Sequence, residues 1–447
     1  MDGNDIVAGF ITRITWEDLP PAVQRRARMA LLDTLGATLV GALTPVSGIA
    51  AGYAAETWPG DGATILLHGQ RASAVGAAFA NGYAANGVDI DDCALYTKGH
   101  PGAQIFPTAL AAAEASNLSG AEMLTAMVVG YEVAHRAGRI WHATHEVYQA
   151  CGSWGSVACA AVAAHLMRLT PEQTRQALGI ADYHAPNLPM MRDIDHPSMV
   201  KHGIGWGAMS GITAAQLAAR GFTGIPSLMG LEGYQEWASD IGQRYIMVDG
   251  LAWKGYACCA WVHAALTGVE QLVKAHSIRA EEIAHIRVEA PHETVRLGTE
   301  LPTTTEEAQF STAWPLAAFL VDGEVGPDQM LAHRFDDQSI RSLAEKVELV
   351  ETEALNELHR LATRGDPRGE YASVVTLTLN DGRTFSSGQV AGGINFPQQG
   401  WDEARVEAKF RWLTRQVLEE TAIKGLIDMT WHFEQVPDVR ELTCGLA

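Results

Sequence analysis

Apolar side chains recur at three- and four-residue spacing through most of this chain, and only late does the period shorten to two. That switch restricts the fold more than any other feature. Helical spacing runs through Trp16–Gly41, Ala103–Ala115, Ala121–Ala137, Gly155–Leu169 and Pro171–Ile180. Thr170-Pro171-Glu172-Gln173 is a full helix-start signal: an N-cap Thr, Pro at the first helical position and Gln at the third. In Gly203–Gly221, the glycines 203, 207 and 211 share one stripe where another helix can approach closely, and packing alone explains them. Ile283–Val288 alternates like a half-exposed strand. Ala372–Leu379 is β-branched and leads into the turn Asn380-Asp381-Gly382, with Thr384–Ser386 as the return strand. Helical stretches Ala308–Val321 and Ile340–Val347 lie between the strands, and Trp401–Ile427 is helical again. The expected class is mainly α with a smaller α+β domain. Residues 1–268 are helical, 269–400 form the α+β part, and 401–447 are a helical return to the first domain.

A length of 447 residues with 47% hydrophobic side chains fits a globular chain of two domains. The formal net charge of −20 argues against nucleic acid or an anionic membrane as partner. A few local cations can still hold a small anion. The amino terminus lacks the basic and apolar regions of a signal peptide. Val147–Met167 carries no Asp, Glu, Lys or Arg, but its Gln149, Ser153, Ser156 and His165 suit a buried helix better than a membrane span. The six cysteines form no CxxC pair, so reduced thiols in a cytoplasmic protein are expected.

Four segments carry candidate chemistry. Asp89, Asp91 and Asp92 stand with His100 within 12 residues, just ahead of an Ala-rich helix. Crowded carboxylates raise one another's pKa when buried, and His is the side chain that titrates near neutrality. Taken alone, the segment fits a proton-transfer site, a helix cap followed by a turn, or a metal site, although its spacing matches no defined metal motif. Met190–Gly203 offers Arg192 and Lys201, which could bind carboxylates, against the plain alternative of a charged surface loop. Trp253–His263 offers Lys254, and its His263 and adjacent Cys258-Cys259 read better as core residues. Tyr148-Gln149-Ala150-Cys151-Gly152-Ser153 puts a phenol, an amide, a thiol and a hydroxyl near a helix start. No GxGxxG, Walker, GxSxG or HExxH pattern appears, so no cofactor is expected.

In order along the chain, these segments resemble the MmgE/PrpD family. The matching stretches are Leu32-Asp33-Thr34-Leu35-Gly36, Val88-Asp89-Ile90-Asp91-Asp92, His100-Pro101-Gly102 and Met199-Val200-Lys201. They continue with Gly221-Phe222-Thr223-Gly224, Lys254-Gly255-Tyr256 and Ala308-Gln309-Phe310-Ser311. The family includes 2-methylcitrate dehydratase, cis-aconitate decarboxylase and iminodisuccinate epimerase. The resemblance implies a large helical domain formed by both chain ends, an inserted α+β lid domain, a homodimer, and an active site in the cleft between the domains. By position, Asp89 and His100 match the family's active-site Asp and His, and Lys201 and Lys254 its substrate-site lysines. Two positions depart from the pattern. Gln149 stands where many members have a His, and Trp314 where many have a Tyr.

The function expected is a cofactor-independent enzyme that abstracts a proton α to a carboxylate of a small di- or tricarboxylate. A dehydratase-like carbon–oxygen lyase comes first and an epimerase second. A catalytically inactive carboxylate-binding protein is the alternative outside catalysis. His100, Asp89, Tyr148 and Lys201 are the expected catalytic groups. Lys254, Arg192, Gln149, Trp314 and His263 are the expected substrate contacts. Asp91 and Asp92 are expected in supporting roles.

Overall fold

The computed structural model describes residues 2–94, 97–364, 366, 368–392 and 400–447. It is mainly helical, with a smaller part built on a sheet. The helix Pro21–Gly41 explains the middle of the larger part. Every residue from Met29 to Gly41 is buried, as in a helix that is apolar all round and central to its domain. Around it lie Ala74–Ala85, Gly102–Ser116 and Gly120–Thr144. Cys151–Leu166 packs between Gly120–Thr144 and Ile204–Ala219. The expected glycine stripe holds: a Cβ on Gly211 would meet Cys159 Cβ at 2.4 Å, and one on Gly207 would meet Gly152 Cα at 2.8 Å. Among the described residues no single helix is long and apolar enough to cross a membrane.

The second part centres on a four-stranded sheet. Its strands are Ile283–Ala290, Val347–Glu351, Ala372–Leu379 and Thr384–Ala391; we number them β1 to β4 in that order. The spatial order is β2-β1-β3-β4, with β1 and β2 parallel and the other pairs antiparallel. The helix His263–His276 packs on β3 and β4. Buried apolar side chains form two main clusters, one in each part. The C-terminal helices Glu403–Thr414 and Glu420–Trp431 place Val406, Phe410, Ile423 and Ile427 in the first. Val88 and Ile90 belong to the second cluster, so the loop carrying Asp89 lies between the two cores.

Several expected elements divide. Trp16–Gly41 is a short 3-10 turn, Trp16–Asp18, and then a helix opening at Pro21, because Pro20-Pro21 supplies no amide donors to continue a helix. Ala308–Val321 is two helices, Thr305–Gln309 and Ala313–Asp322; Ser311 caps the second, which tolerates Pro315 in its first turn. Ile340–Val347 is helical only to Ala344, and Val347 opens β2, whose parallel partner lies far back in sequence. The expected boundary at 400 adjoins residues 393–399, which lie outside the described residues.

Candidate active site

The site begins where the helix Ala74–Ala85 ends. Asn86 caps it and donates from Nδ2 to Asp91 Oδ1 at 2.8 Å and Asp89 Oδ1 at 3.3 Å. The chain then turns sharply, with Asp89 at φ 52°. A left-handed non-glycine residue costs about 1–3 kcal/mol and persists where its surroundings over-determine it. Here Lys254 does so: its ammonium lies 2.8 Å from Asp89 Oδ1 and also donates to the Asp89 carbonyl. Lys409, from the C-terminal return, pairs with Asp33 and donates to the Ile90 carbonyl at 2.8 Å. Asp92 accepts the Gly102 amide at 2.9 Å and the Tyr131 hydroxyl at 2.6 Å, tying the loop to the next helix. Burial pushes the Asp92 carboxyl up to about 7.

His100 sits against this loop. Its Nδ1 donates to the Asp92 carbonyl at 2.9 Å and lies 3.2 Å from Asp91 Oδ2; its Nε2 is 3.5 Å from Asp89 Oδ1. Burial opposes charge on the ring, but Cys93 and Asp91 outweigh it and raise the His100 pKa well above its ordinary value. Burial would likewise raise Asp89, but Lys254 and His100 hold its carboxyl below the usual range. The surroundings of the ring therefore favour its protonated form.

A second imidazole, which sequence reasoning passed over, lies beside the first. His202 stacks on His100 with ring centroids 5.6 Å apart and planes at 9°. Asp193 Oδ2 accepts from His202 Nδ1 at 2.6 Å and from its backbone amide at 2.9 Å. Lys201, His202 and Gly203 are all left-handed, at φ 42°, 57° and 63°, and this tight turn aims His202 inward. Lys201 is fully buried and donates to Gln309 Oε1 at 2.6 Å; Gln309 Nε2 donates to the Gly87 carbonyl at 3.0 Å. The Phe310 ring edge meets His202 at 5.3 Å. The Ala-Gln-Phe-Ser stretch of the smaller part thus closes over the lysine and the imidazole.

These groups border a cavity of about 390 Å³. It runs from the buried Asp89, His100 and His202 to the exposed Arg296 and Arg360. Arg296 is held by both oxygens of Asp195 at 2.7 Å, and Arg360 faces Glu353 and Glu357. Lys98 also lines the cavity, over the Tyr148 ring, and among the described residues no carboxylate pairs with it. Cys93, Cys151 and Cys259 are on the wall as well. Burial pushes the Cys151 and Cys259 thiols up to about 12, so these two stay protonated near neutrality.

The expected site residues divide three ways. Asp89, His100 and Tyr148 line the cavity. Lys201 and Lys254 lie behind its wall, fully buried, and act on it through their charge. The four expected contacts other than Lys254 do not line it either. Gln149 turns away to accept the Leu188 amide at 2.6 Å. Trp314 is buried among the apolar side chains of the smaller part and donates to the Gln329 carbonyl at 2.9 Å. His263 is buried 3.3 Å from the Cys258 carbonyl, and burial lowers its pKa to about 3. Arg192 is exposed on a separate outer cleft. Asp91 does more than support the loop, because it faces His100 directly.

Among the described residues, only Asp89, His100 and His202 bring polar atoms together as metal ligands would, within 4.8 Å. Lys254 already pairs with Asp89, and carboxylates face both ring nitrogens of His100. A cation bound there would share Asp89 with the Lys254 ammonium, 2.8 Å from its Oδ1.

Residues 5–241 match the MmgE/PrpD N-terminal domain and residues 256–435 the MmgE/PrpD C-terminal domain. Relatives are similar over nearly the whole chain. A protein called cis-aconitate decarboxylase-like protein oryM, from Aspergillus oryzae, is 25% identical over 98% of this chain and 95% of its own. A cis-aconitate decarboxylase of Aspergillus terreus is 25% identical over 98% and 94%. The human cis-aconitate decarboxylase is 27% identical over 94% and 89%. With both domains matched in order around the Asp89–His100 cavity, the chain belongs to the MmgE/PrpD family.

Proposed function

We propose that this chain is a cofactor-independent carbon–carbon lyase that removes CO2 from a small di- or tricarboxylate. One observation carries the proposal: a buried His100 that borders the cavity with Asp91 facing one ring nitrogen and Asp89 the other, neighbours that favour its protonated form. Decarboxylation leaves an electron pair on carbon and needs a proton delivered there. A residue protonated at rest is poised to give one and poorly placed to take one. The C–C bond breaks, CO2 departs, the pair spreads into the remaining unsaturated acid, and the carbanion takes the Nε2 proton of His100. Lys98 holds a substrate carboxylate at the wall, while Lys201 and Lys254 offset the charge of Asp89 and of the developing enolate. The decarboxylase names of the relatives support the reaction class.

Dehydration is the second reading, because His202 beside His100 offers a base next to an acid. The geometry favours epimerisation less. Epimerisation needs a second acid on the opposite face, and Tyr148, the expected catalytic group that could supply it, commits its hydroxyl to the Lys98 carbonyl at 2.6 Å, while burial holds its pKa well above the ordinary value. The test is proton NMR on cis-aconitate, citrate and 2-methylcitrate incubated with the protein in D2O. CO2 release with one deuterium fixed per product is expected. Loss of water without CO2 would move the assignment to a hydro-lyase. Ligand-induced thermal stabilisation without turnover would make it a binding protein and overturn the proposal.

A further inference from the structure

Decarboxylation consumes one proton per turnover, so a buried donor must be reloaded. The cavity wall shows where. Beside the substrate cavity lies an outer cleft of about 270 Å³, bordered by Arg192, Asp193, His196 and Ser198. Among the described residues, His202 is the one side chain lining both spaces. Its Nδ1 side engages Asp193, which belongs to the outer cleft. That leaves Nε2 for the inner cavity, where ring nitrogens of His202 and His100 and an oxygen of Asp89 lie within 4.8 Å of one another.

We propose that His202, positioned by Asp193, is the proton entry of this site: it takes a proton from the outer cleft and passes one to His100 after each turnover. This rests on the lyase reading above. The proton balance is simple. His100 Nε2 loses its proton to the substrate carbanion and His202 Nε2 replaces it through a bridging water; His202 keeps its Nδ1 proton on Asp193, and its bare Nε2 is refilled by a water that reaches it past the ring from the outer cleft. No bond other than N–H and O–H changes. The charged and titratable groups facing His202 are Asp193 on one side and His100, Asp89 and Lys201 on the other, with Phe310 closing the edge. The chain also spends backbone energy on this placement. Two consecutive non-glycine residues, Lys201 and His202, sit in the left-handed region, and such strain clusters where a side chain must be aimed.

The test compares wild type with His202→Ala and His202→Gln, using whichever acid the wild type turns over. Loss of reloading should lower kcat roughly 10–100-fold, short of the 10²–10⁴ typical of losing a direct general acid. KM should stay near its wild-type value, and the solvent deuterium isotope effect on kcat should rise. Imidazole in the buffer should restore His202→Ala through the outer cleft, in proportion to its concentration. Asp193→Asn should shift the pH profile of kcat with a smaller loss. Wild-type kcat and isotope effect in His202→Gln would overturn the proposal. So would a slow but folded His202→Ala, its melting temperature unchanged, that imidazole does not restore. A wild-type protein inactive on every acid would instead remove the lyase reading and this inference with it, so the two failures are distinguishable.

Discussion

Asp89 shows how much one residue can be asked to do. It adopts a left-handed backbone, pairs with Lys254, and holds the cavity side of His100. Lys98, two residues before His100, is a different kind of group. It is partly buried, left-handed at φ 51°, and without an ion-pair partner among the described residues. Burial lowers its pKa, as expected of an ammonium that gains from meeting an anion. Lys98→Met should raise KM about tenfold, equal to about 1.4 kcal/mol of binding, with kcat changed far less. Steady-state kinetics on the active acid checks this; an unchanged KM would place the carboxylate elsewhere. Asp89 and His100 were legible in the sequence because their chemistry is crowded into one short segment. Arg192 and Lys201 drew attention in Met190–Gly203 because charge is conspicuous, yet the titratable side chain that reaches the cavity there is His202, held by Asp193 from the outer cleft. Their partnership depends on a left-handed turn that no spacing rule marks.

Among the elements, the junction between the Asp89 loop and the helix Gly102–Ser116 packs a carboxylate tightly against a helix start. A Cβ on Gly102 would meet Asp92 Oδ2 at 2.5 Å and the Tyr131 hydroxyl at 2.6 Å, so glycine is required for the carboxylate to reach the helix start. Burial lifts Asp92 to about 7, above the roughly 3.9 of an unfolded Asp. The folded chain therefore holds a proton that the unfolded chain releases. This contribution to stability is full below about pH 4 and is lost as pH rises through about 7. Asp92→Asn removes the titration. Melting temperatures of wild type relative to Asp92→Asn should fall steadily between pH 4 and 7, and a constant difference would contradict the assignment. Other elements were read in the right place but the wrong phase. The segment 308–321 was seen as helical, but the break at Phe310–Thr312 that turns Gln309 towards Lys201 was not, because Ser311 and Pro315 start a new helix there. Trp314 and Gln149 lie off the cavity for the same reason: periodicity shows that a face is buried, not which neighbour buries it.

At the level of the whole molecule, a chain of formal net charge −20 gathers Lys98, Lys201, Lys254 and Lys409 around one loop. The change of hydrophobic period made the two kinds of architecture legible. The central helix and the strand pairs followed from it, whereas β2 did not, since its parallel partner is remote in sequence. What the sequence could not display is the field at His100, which is assembled from separate segments. Asp89 and Asp91 come from one loop, Lys254 from 165 residues further on, and His202 with Asp193 from the turn between. That field is the basis for reading His100 as a proton donor. The direct measurement is nitrogen-15 NMR of histidine-labelled resting protein between pH 6 and 9, with His100→Gln to assign the signal. Both ring nitrogens of His100 should remain protonated at pH 8, and Asp91→Asn should bring its titration down. A His100 signal that is neutral at pH 8 and titrates near 6.5 would contradict the donor role.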